Sequence, residues 1–559
     1  MAQTPETKRS KYLRRWTGLK NERSTWFQAW RNISDYMMPM QGRFFVTDRN
    51  KGRNRFNNIL DPTAGKALNR LSAGLMAGMT SPARPWFRLA IADSDMMEYE
   101  PVKLWLDDTS RLMRDIFARS NSYRALHSMY KELGGFGTGA NIILSDFENV
   151  IHMHPLTIGE YAIATDSRGY VNTLYREFDM TVAQVVDEFG IENVSKNVKQ
   201  AFDEGNLDHW ITILHVIEPR KERDYKKRDA KNMPVMSCYL EAAGEDDDKV
   251  LRESGFRRFP AICPRWDVSG GDIYGNGPGM EAWGHTRQLQ HQQLRKSEGI
   301  DYQVKPPVQI PVSMKGQEHD LLPGGNSYYD LTTGSTGGAI RTAFEVNINL
   351  QHLLLDIQDV RAGIKEIFYE DLFMMIANDS RSNITAREIA ERHEEKLIML
   401  GPVLERLHNE MLSPMIDITF DKIVEAGILP PPPPELNGMD LNVEFVSMLA
   451  QAQRAVGTGA VDRLLGTIGA VAQMKPDVLD KLDADQMIDK YADMLGVDPD
   501  LIVADDKVAI IRQQRAQQQQ AMQQAAMMQP MADAAKTMSE TDTEGDNGLT
   551  ALTRQFTQL

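Results

Sequence analysis

Two short glycine-rich stretches come nearest to a nucleotide-binding loop. Gly135, Gly137 and Ala140 satisfy the loose dinucleotide pattern. That motif needs a strand before it and a helix after it, so that a pyrophosphate lies on the helix N-terminus. Here the sequence predicts a helix before the glycines and a strand after them, which indicates a tight turn with closely packed backbone. The second stretch, 275–279, lacks the spacing, and Pro278 removes a donor that a phosphate cradle would use.

A P-loop is also missing from the sequence in its standard form. The pair Gly65-Lys66 precedes a helical pattern, but Leu60 stands where the first glycine belongs and Ala67 where the magnesium-binding hydroxyl belongs. This argues against a P-loop packaging motor, although it does not exclude every ATPase.

The histidines and acidic residues do not form a recognisable metal or catalytic set. His152 and His154 share one face of a predicted strand, but no nearby acidic or histidine residue completes a metal-binding set with them. His393 lies among charges on a predicted helix, and the acidic run 245–248 lacks the ligand spacing of a calcium loop. We find no Ser-His-Asp or Cys-His set. We therefore expect no catalytic residue, no metal and no cofactor.

Composition narrows the class of protein. The 559 residues are 42% hydrophobic and 25% charged, enough for several domains with a sizeable core. The net charge of −15 argues against a protein that grips DNA, although an acidic wall would let DNA slide past. Simple solubility explains the charge equally well. The two cysteines, Cys238 and Cys263, exclude a disulfide scaffold, and neither a membrane-spanning run nor a signal peptide is visible.

The first half of the chain predicts a helix-rich α+β fold. Apolar residues follow a helical period over 8–37, and Asp61-Pro62 begins a helix that runs to Met79 and is rich in small residues. Further helices are expected at 99–119, 122–133, 181–188 and 194–204. Strands are expected at 86–91, 141–144, 210–217, 235–242 and 248–255, with a hairpin over 159–179.

The second half is mainly helical. A polar, Gln-rich helix over 281–302 leads into a short β-like insertion, and an amphipathic helix follows over 347–376. A polar break then precedes a long helix over 385–427 and a proline run predicted to be a stiff polyproline II spacer. Several helices are expected over 442–515, followed by a disordered tail. From the residues alone, an ordinary helical hairpin in a monomer explains the helices over 281–302 and 347–376 better than a ring does.

Four stretches carry a family resemblance. They are 74–87, 135–139, 274–279 and 383–388, and the proline-bearing helix over 402–414 continues the pattern. In this order and spacing the chain resembles the portal proteins, or head-to-tail connectors, of short-tailed (podoviral) phages. The resemblance covers about residues 8–515; the acidic insert near 245 and the tail do not align.

The resemblance implies a subunit with a wing, a stem, a clip and a C-terminal helical crown. Mapped onto this sequence, the parts are a wing over 1–280, stem helices over 281–302 and 347–376, a clip over 303–346, a channel loop over 377–384, a long wing helix with its proline-rich end over 385–435, a crown over 436–515 and a disordered tail over 516–559.

It also implies partners and a place of action. The chain would form a ring, usually of twelve copies, at one capsid vertex of the virion after assembly in the host cytoplasm. Double-stranded DNA would pass through it without sequence-specific contacts during packaging and ejection. The expected protein partners are the terminase large subunit, tail adaptor or nozzle proteins, and capsid, scaffolding or internal core proteins; no membrane is expected.

Polar and basic residues near the channel are the candidates for DNA contact. A solvent-facing or intersubunit role explains the basic ones equally well. The candidates are Asn378, Asp379, Ser380, Arg381, Ser382, Asn383, Arg287, Arg295, Lys296 and Lys305.

Two alternatives come from other classes. A DNA-handling ATPase or nuclease of the packaging machinery needs a nucleotide or metal site, and a ring-forming membrane pore needs lipid-facing apolar belts. Steady ATP turnover would favour the first, and flotation with liposomes would favour the second.

Overall fold

The computed structural model describes residues 7–44, 55–93, 96–97, 99–227, 229–243, 249–304, 308–309, 341–342, 350–377, 399–436, 441–447, 449–450, 467–469, 471, 486–488, 503, 508–520 and 522. The chain divides into two units, Met1–Thr467 and Ile468–Leu559. In the second unit the longest described segment is helical over 508–520, so the helix passes the end of the predicted crown at 515.

The first unit is rich in helices. They are α1 (Lys8–Glu22), α2 (Ser24–Tyr36), α3 (Thr63–Met79), α4 (Glu100–Arg119), α5 (Ser122–Phe136), α6 (Val182–Phe189), α7 (Lys196–Asp203), α8 (Pro278–Glu281), α9 (Trp283–Val304), α10 (Leu350–Ile367), α11 (Glu370–Ala377) and α12 (Ser413–Ala426). Residues 399–407 are also helical and reach α12 through a π-helical turn, His408–Leu412.

The strands of the first unit lie mostly in its first half. They are β1 (Phe87–Ile91), β2 (Ala140–Asp146), β3 (Val150–Leu156), β4 (Tyr161–Thr165), β5 (Val171–Thr181), β6 (Trp210–Pro219), β7 (Val235–Glu241), β8 (Arg252–Phe256), β9 (Ala261–Ile262), β10 (Val308–Gln309), β11 (Arg341–Thr342) and β12 (Leu441–Phe445). This mixture of helix and sheet confirms the predicted helix-rich α+β class.

All the named sheets are antiparallel. The largest has the order β4-β5-β6-β7-β8, and a smaller one has the order β3-β2-β9. Two ribbons, β1-β12 and β10-β11, complete the described sheets. The predicted hairpin over 159–179 is confirmed, since β4 and β5 pair as neighbouring antiparallel strands. In its turn, Asp166 accepts hydrogen bonds from the amides of Arg168 and Tyr170.

The main core lies around α3 and α5. It contains large side chains such as Trp30, Phe87 and Tyr130, and Trp30 donates its indole N–H to the carbonyl of Phe136. A second cluster packs Tyr12, Trp16 and Leu19 of α1 against the five-stranded sheet. The aromatic residues at the start of the chain are therefore core residues, as their helical spacing predicts.

Three expectations are corrected. The helix predicted over 8–37 is interrupted at Arg23, whose buried side chain donates to the carbonyl of Tyr161. The helix predicted over 347–376 is broken between α10 and α11, where Tyr369 has a φ of +52°. The helical region predicted from 442 instead begins with β12, because Leu441, Val443 and Phe445 pair with β1.

No helix among the residues that the structure describes is long and apolar enough to cross a membrane.

Candidate channel site

The predicted DNA-contacting residues fall into two groups. The six residues 378–383 and Lys305 lie outside the described residues. Arg287, Arg295 and Lys296 all lie on α9, where the two arginines are exposed and Lys296 is half-buried. Arg295 pairs with Glu298 at 2.6 Å on the helix surface, and an exposed pair of this kind adds little stability. The eight-residue step from Arg287 to Arg295 is about 12 Å along the helix axis.

A buried carboxylate fixes the two long helices that hold these residues. Asp61 lies just before α3 and is 2% exposed. Its Oδ2 accepts hydrogen bonds from Nε and Nη2 of Arg361 on α10, at 3.0 and 2.6 Å, and from Nε2 of Gln293 on α9, at 3.0 Å. One oxygen therefore connects α9, α10 and the start of α3.

The other oxygen of Asp61 begins α3. Its Oδ1 accepts from the backbone N–H of Thr63 at 2.9 Å and from the Thr63 hydroxyl at 2.5 Å. This satisfies a donor of the first turn, although the helix begins one residue later than predicted, with Pro62 at the N-cap position and Thr63 as the first helical residue. Burial favours a higher pKa for Asp61, but the hydrogen bonds from Thr63 and Arg361 outweigh it and the pKa is lowered. The carboxylate is therefore ionised at neutral pH.

Gln290 of α9 strengthens the same connection through backbone groups. Its Oε1 accepts from the amides of Leu60 and Asp61 at 2.7 and 2.9 Å, and its Nε2 donates to the carbonyl of Asp61 at 2.8 Å. Gln292 on the same helix donates to Asp356 of α10. The glutamines that make α9 look too polar for a helix are thus structural hydrogen-bonding groups.

The far end of α10 is held to α3 by a second set of contacts. Glu370, at the start of α11, pairs with Arg70 of α3 and lies 3.9 Å from Lys365 Nζ. Phe373 packs so closely on Gly74 that a Cβ there would lie 2.3 Å from the Phe373 side chain. The small residues of α3 therefore serve to bring α11 against it.

The break between α10 and α11 follows from these contacts. Phe368 is buried, and Tyr369 turns the chain with its positive φ, which is rare for a bulky residue. The turn directs Glu370 to Arg70 and Phe373 to Gly74. The chain then leaves α11 at Ala377, the first residue of the predicted channel loop.

The glycine-rich stretches make a packed turn. Gly137 has a φ of +77° and ends α5. A Cβ at Gly137 would lie 2.2 Å from the carbonyl oxygen of Gly275. The amides of Gly139 and Gly275 donate to Pro264 and to the Thr138 hydroxyl. These amides are occupied within the protein, so they do not form a phosphate cradle.

The paired histidines lie where the strand pattern predicts. His152 and His154 of β3 have ring centroids 4.7 Å apart. Burial, Arg176 and His152 together lower the pKa of His154 to about 4. In the described part of the chain no group of three or more His, Cys, Asp or Glu side chains is placed to hold a metal ion.

Sequence reasoning found Asp61 as a helix cap but missed its connection to Arg361. The two residues are 300 positions apart, and no local spacing signals such a pair. The polar character of α9 was the available signal, since a helix with so many glutamines needs hydrogen-bonding partners.

Comparison with known proteins identifies the family. The sequence model of the family described as "Bacteriophage head to tail connecting protein" matches residues 9–503. A probable portal protein of Bordetella phage BPP-1 is 58% identical over 551 residues, 99% of each chain. The portal protein of Salmonella phage epsilon15 is 45% identical over 548 residues, 98% of each chain.

A chain from the virion of a native gene transfer agent particle aligns with 84% of this chain and 99% of its own length, at 11% identity and a TM-score of 0.35. That likeness is too weak to support an argument. The two full-length relatives and the family match are sufficient, and the chain belongs to the bacteriophage head-to-tail connecting proteins, the family of the phage portals.

Proposed function

We propose that about twelve copies of this chain close into a ring at one capsid vertex and form the channel for double-stranded DNA. In this proposal the stem is 281–302 and 347–376, which contain most of α9 and all of α10, 303–346 is the clip, 377–384 is the channel loop and residues 1–280 are the wing. DNA enters through the ring during packaging and leaves through it at ejection.

One structural observation supports ring assembly independently of the family match. The helices α9 and α10 pack on each other through buried residues such as Leu289 and Ile357, but each also exposes large apolar side chains. Leu294 is 44% exposed and Leu355 is 63% exposed. Apolar groups of this size on paired helices gain stability when a neighbour covers them. Copies of the same hairpin standing side by side would provide that cover.

The Asp61 contacts support the same assignment. A stem element must keep its angle to the wing while neighbours press on both of its sides. Asp61, Gln290 and Glu370 hold both helices to α3 at two separate levels. This arrangement suits a wall element of a ring, because the hairpin is fixed before assembly.

Guidance of DNA is passive in this proposal. Exposed basic residues on the described stem, such as Arg287 and Arg295, would meet phosphates without reading bases. The net charge of −15 keeps the overall affinity for DNA low. Weak contact allows the duplex to slide in both directions.

The proposed protein partners follow from the position at the vertex. The clip contacts the terminase large subunit during packaging and the tail adaptor afterwards, and the wing contacts capsid, scaffolding or internal core proteins. The ring is assembled in the host cytoplasm and is retained in the virion.

Negative-stain microscopy of the purified chain tests the assembly. The expected result is radial particles with a central hole and about twelve-fold symmetry. A chain that stays a stably folded monomer under all assembly conditions contradicts the proposal.

DNA binding and ATP turnover test the mechanism. The rings are expected to bind duplex DNA no more tightly than nonspecific proteins, with a Kd of about 10⁻⁴–10⁻⁶ M at physiological salt. Tight binding at that salt concentration contradicts passive guidance, and steady ATP hydrolysis by the isolated rings favours a motor.

A further inference from the structure

The turn between β2 and β3 displays a fully exposed aromatic side chain. Phe147 has a relative exposure of 110%. Beside it, Glu148 is exposed and makes no ion pair in the part of the chain that the structure describes. The turn therefore presents a phenyl ring and a free carboxylate side by side; residues 146–150 are called the β2–β3 tip below.

The tip is held firmly in its own subunit. Asp146 accepts hydrogen bonds from the backbone N–H and the side-chain amide of Asn149, at 3.2 and 3.1 Å. Val150 has a φ of +68°, an outlier for a β-branched residue. Backbone strain of this kind persists where the surroundings determine it and is concentrated at functional positions. The hydrogen-bonded turn therefore holds Phe147 in a defined, exposed position.

A cavity of complementary chemistry lies elsewhere on the same subunit. It has a volume of about 410 Å³ and lies among α1, α2 and the residues after β3. Phe27 and Phe44 line it, with ring centroids 5.1 Å apart and nearly perpendicular. The volume is within the range of pockets that take small ligands, so one aromatic side chain has room. We call this space the Arg23 cavity.

The lining of the cavity contains one more basic side chain than acidic side chains. Asp179 is paired with Arg43 and accepts from the Thr212 hydroxyl. Glu177 accepts from the Trp16 indole and lies 3.9 Å from Lys20 Nζ. The two lining carboxylates therefore already have partners.

Arg23 is the remaining cation. It is 6% exposed, donates to the carbonyl of Tyr161 and lies over the Trp16 ring at 5.2 Å. Among the described residues no carboxylate forms an ion pair with it. Burial lowers the pKa of its guanidinium, and this outweighs the opposing effect of the Glu177 charge. A buried guanidinium gains most from a carboxylate that reaches its unused donors.

The tip and the cavity lie at opposite ends of one strand. The tip ends at Val150, the first residue of β3, and Gly159, which lines the cavity, comes three residues after β3 ends at Leu156. A seven-residue strand is about 23 Å long, so a subunit does not fill its own cavity. A contact between two different surfaces of identical chains is heterologous, and such contacts form a ring when the rotation between neighbouring subunits closes.

We propose that in the ring the β2–β3 tip of each subunit places Phe147 in the Arg23 cavity of the next subunit, against Phe27 and Phe44, where Glu148 pairs with Arg23. This inference rests on the proposed ring function. It assigns to the wing a second intersubunit contact, separate from the stem helices.

The first test uses changes that leave the isolated subunit intact. Phe147→Ser and Glu148→Lys alter only exposed side chains, so the melting temperature of the unassembled subunit should not change. Each is expected to raise the protein concentration needed for ring formation at least tenfold. The matched control is Tyr225→Ser, which removes another exposed aromatic at a loop tip and should assemble like the parent.

The second test maps the contact. In rings of the double variant Phe147→Cys and Ser24→Cys, a short bismaleimide should link neighbours into a ladder that ends at one closed product. Mixing the two single variants should give covalent dimers as the largest product, because each chain then carries only one reactive site. Cys238 and Cys263 are buried and do not compete. Tyr225→Cys with Ser24→Cys serves as the control and should not link.

The outcomes separate this inference from the proposed function. If the parent chain forms no rings, the ring function itself fails. If the parent forms rings but Phe147→Ser assembles as well as the parent and the cysteine pair in intact rings does not link, the inserted tip is wrong and the ring stands. Normal rings combined with a defect only in capsid or tail attachment would assign the tip to another protein and overturn the inference.

Discussion

Asp61 and Arg361 lie 300 residues apart in the chain and meet through two hydrogen bonds to a single carboxylate oxygen. Gln293 donates to the same oxygen. Because the three residues belong to three different elements, the position of both long helices depends on one buried charge. Removal of that charge is the most direct test of how the hairpin is held.

Asp61→Asn should loosen α10 while keeping the start of α3, because asparagine also caps helices well. Loss of the charge-assisted hydrogen bonds from Arg361 is expected to cost about 2 kcal/mol. Hydrogen–deuterium exchange of the unassembled subunit should then show amide protection over Leu350–Ile367 reduced by about thirtyfold.

The matched control is Asp359→Asn on the same helix. Asp359 is exposed and pairs with no other described residue, so this change removes the same charge without a buried partner. Equal loss of protection in the two variants would show that net charge, and not the contact with Arg361, holds the helix.

Acidification should remove the contribution of Asp61 in a defined range. The hydrogen bonds lower the pKa of Asp61 in the folded state, so its stabilisation is fully present above the unfolded value of about 3.9. It is lost as the pH falls through the lowered pKa. The difference in Tm between the parent and Asp61→Asn should stay constant from pH 8 to pH 5 and shrink only below about pH 4. A difference that already disappears near pH 6 would assign the effect to another group.

The local signals in the sequence predict the elements of this fold well and their long-range contacts poorly. Asp61-Pro62 marks the start of α3, and alternation marks the β4-β5 hairpin, because caps and turns depend on neighbouring residues. Asp61 with Arg361 depends on residues 300 positions away. The strand β12 also depends on a distant partner, because it begins at Leu441 and pairs with β1, which ends at Ile91.

The break in the helix at Tyr369 is another feature that local sequence patterns do not predict. The apolar period of α10 continues into α11 through Ile364, Phe368 and Leu372, all of which are buried. Periodicity therefore predicts one helix. The turn arises because Glu370 and Phe373 are held by Arg70 and Gly74 of α3, and this contact becomes visible only in the folded chain. For the candidate DNA-contacting residues, the structure places Arg287, Arg295 and Lys296 on one helix, and the contact with DNA stays a prediction.

His154 should make the subunit less stable in mild acid. Burial, Arg176 and His152 lower its folded pKa to about 4, whereas an unfolded histidine titrates near 6.5. Between these values the unfolded chain binds a proton that the folded chain does not, so stability falls as the pH falls. His154→Gln should therefore give a shallower decline of Tm between pH 7 and pH 4.5 than the parent.

His291→Gln is the control for this pH series. His291 is exposed on α9, and its replacement should leave the slope of Tm against pH unchanged. Identical slopes for the parent and both variants would show that His154 is not among the groups that make folding sensitive to acid.

Gly74→Ala should separate α11 from α3. The added Cβ would lie 2.3 Å from the Phe373 side chain, and overpacking of a tight helix contact typically costs about 1–3 kcal/mol. Gly284→Ala on α9 is the matched change at an open position, since nothing lies within 4 Å of its Cβ, and it should be neutral or stabilise the helix by about 0.5–1 kcal/mol. A lower Tm for the first variant and an unchanged or higher Tm for the second are the expected results. Because Phe373 belongs to α11, which leads into the predicted channel loop, Gly74→Ala should also increase hydrogen exchange over Glu370–Ala377. Unchanged exchange there would show that α11 does not depend on its contact with α3.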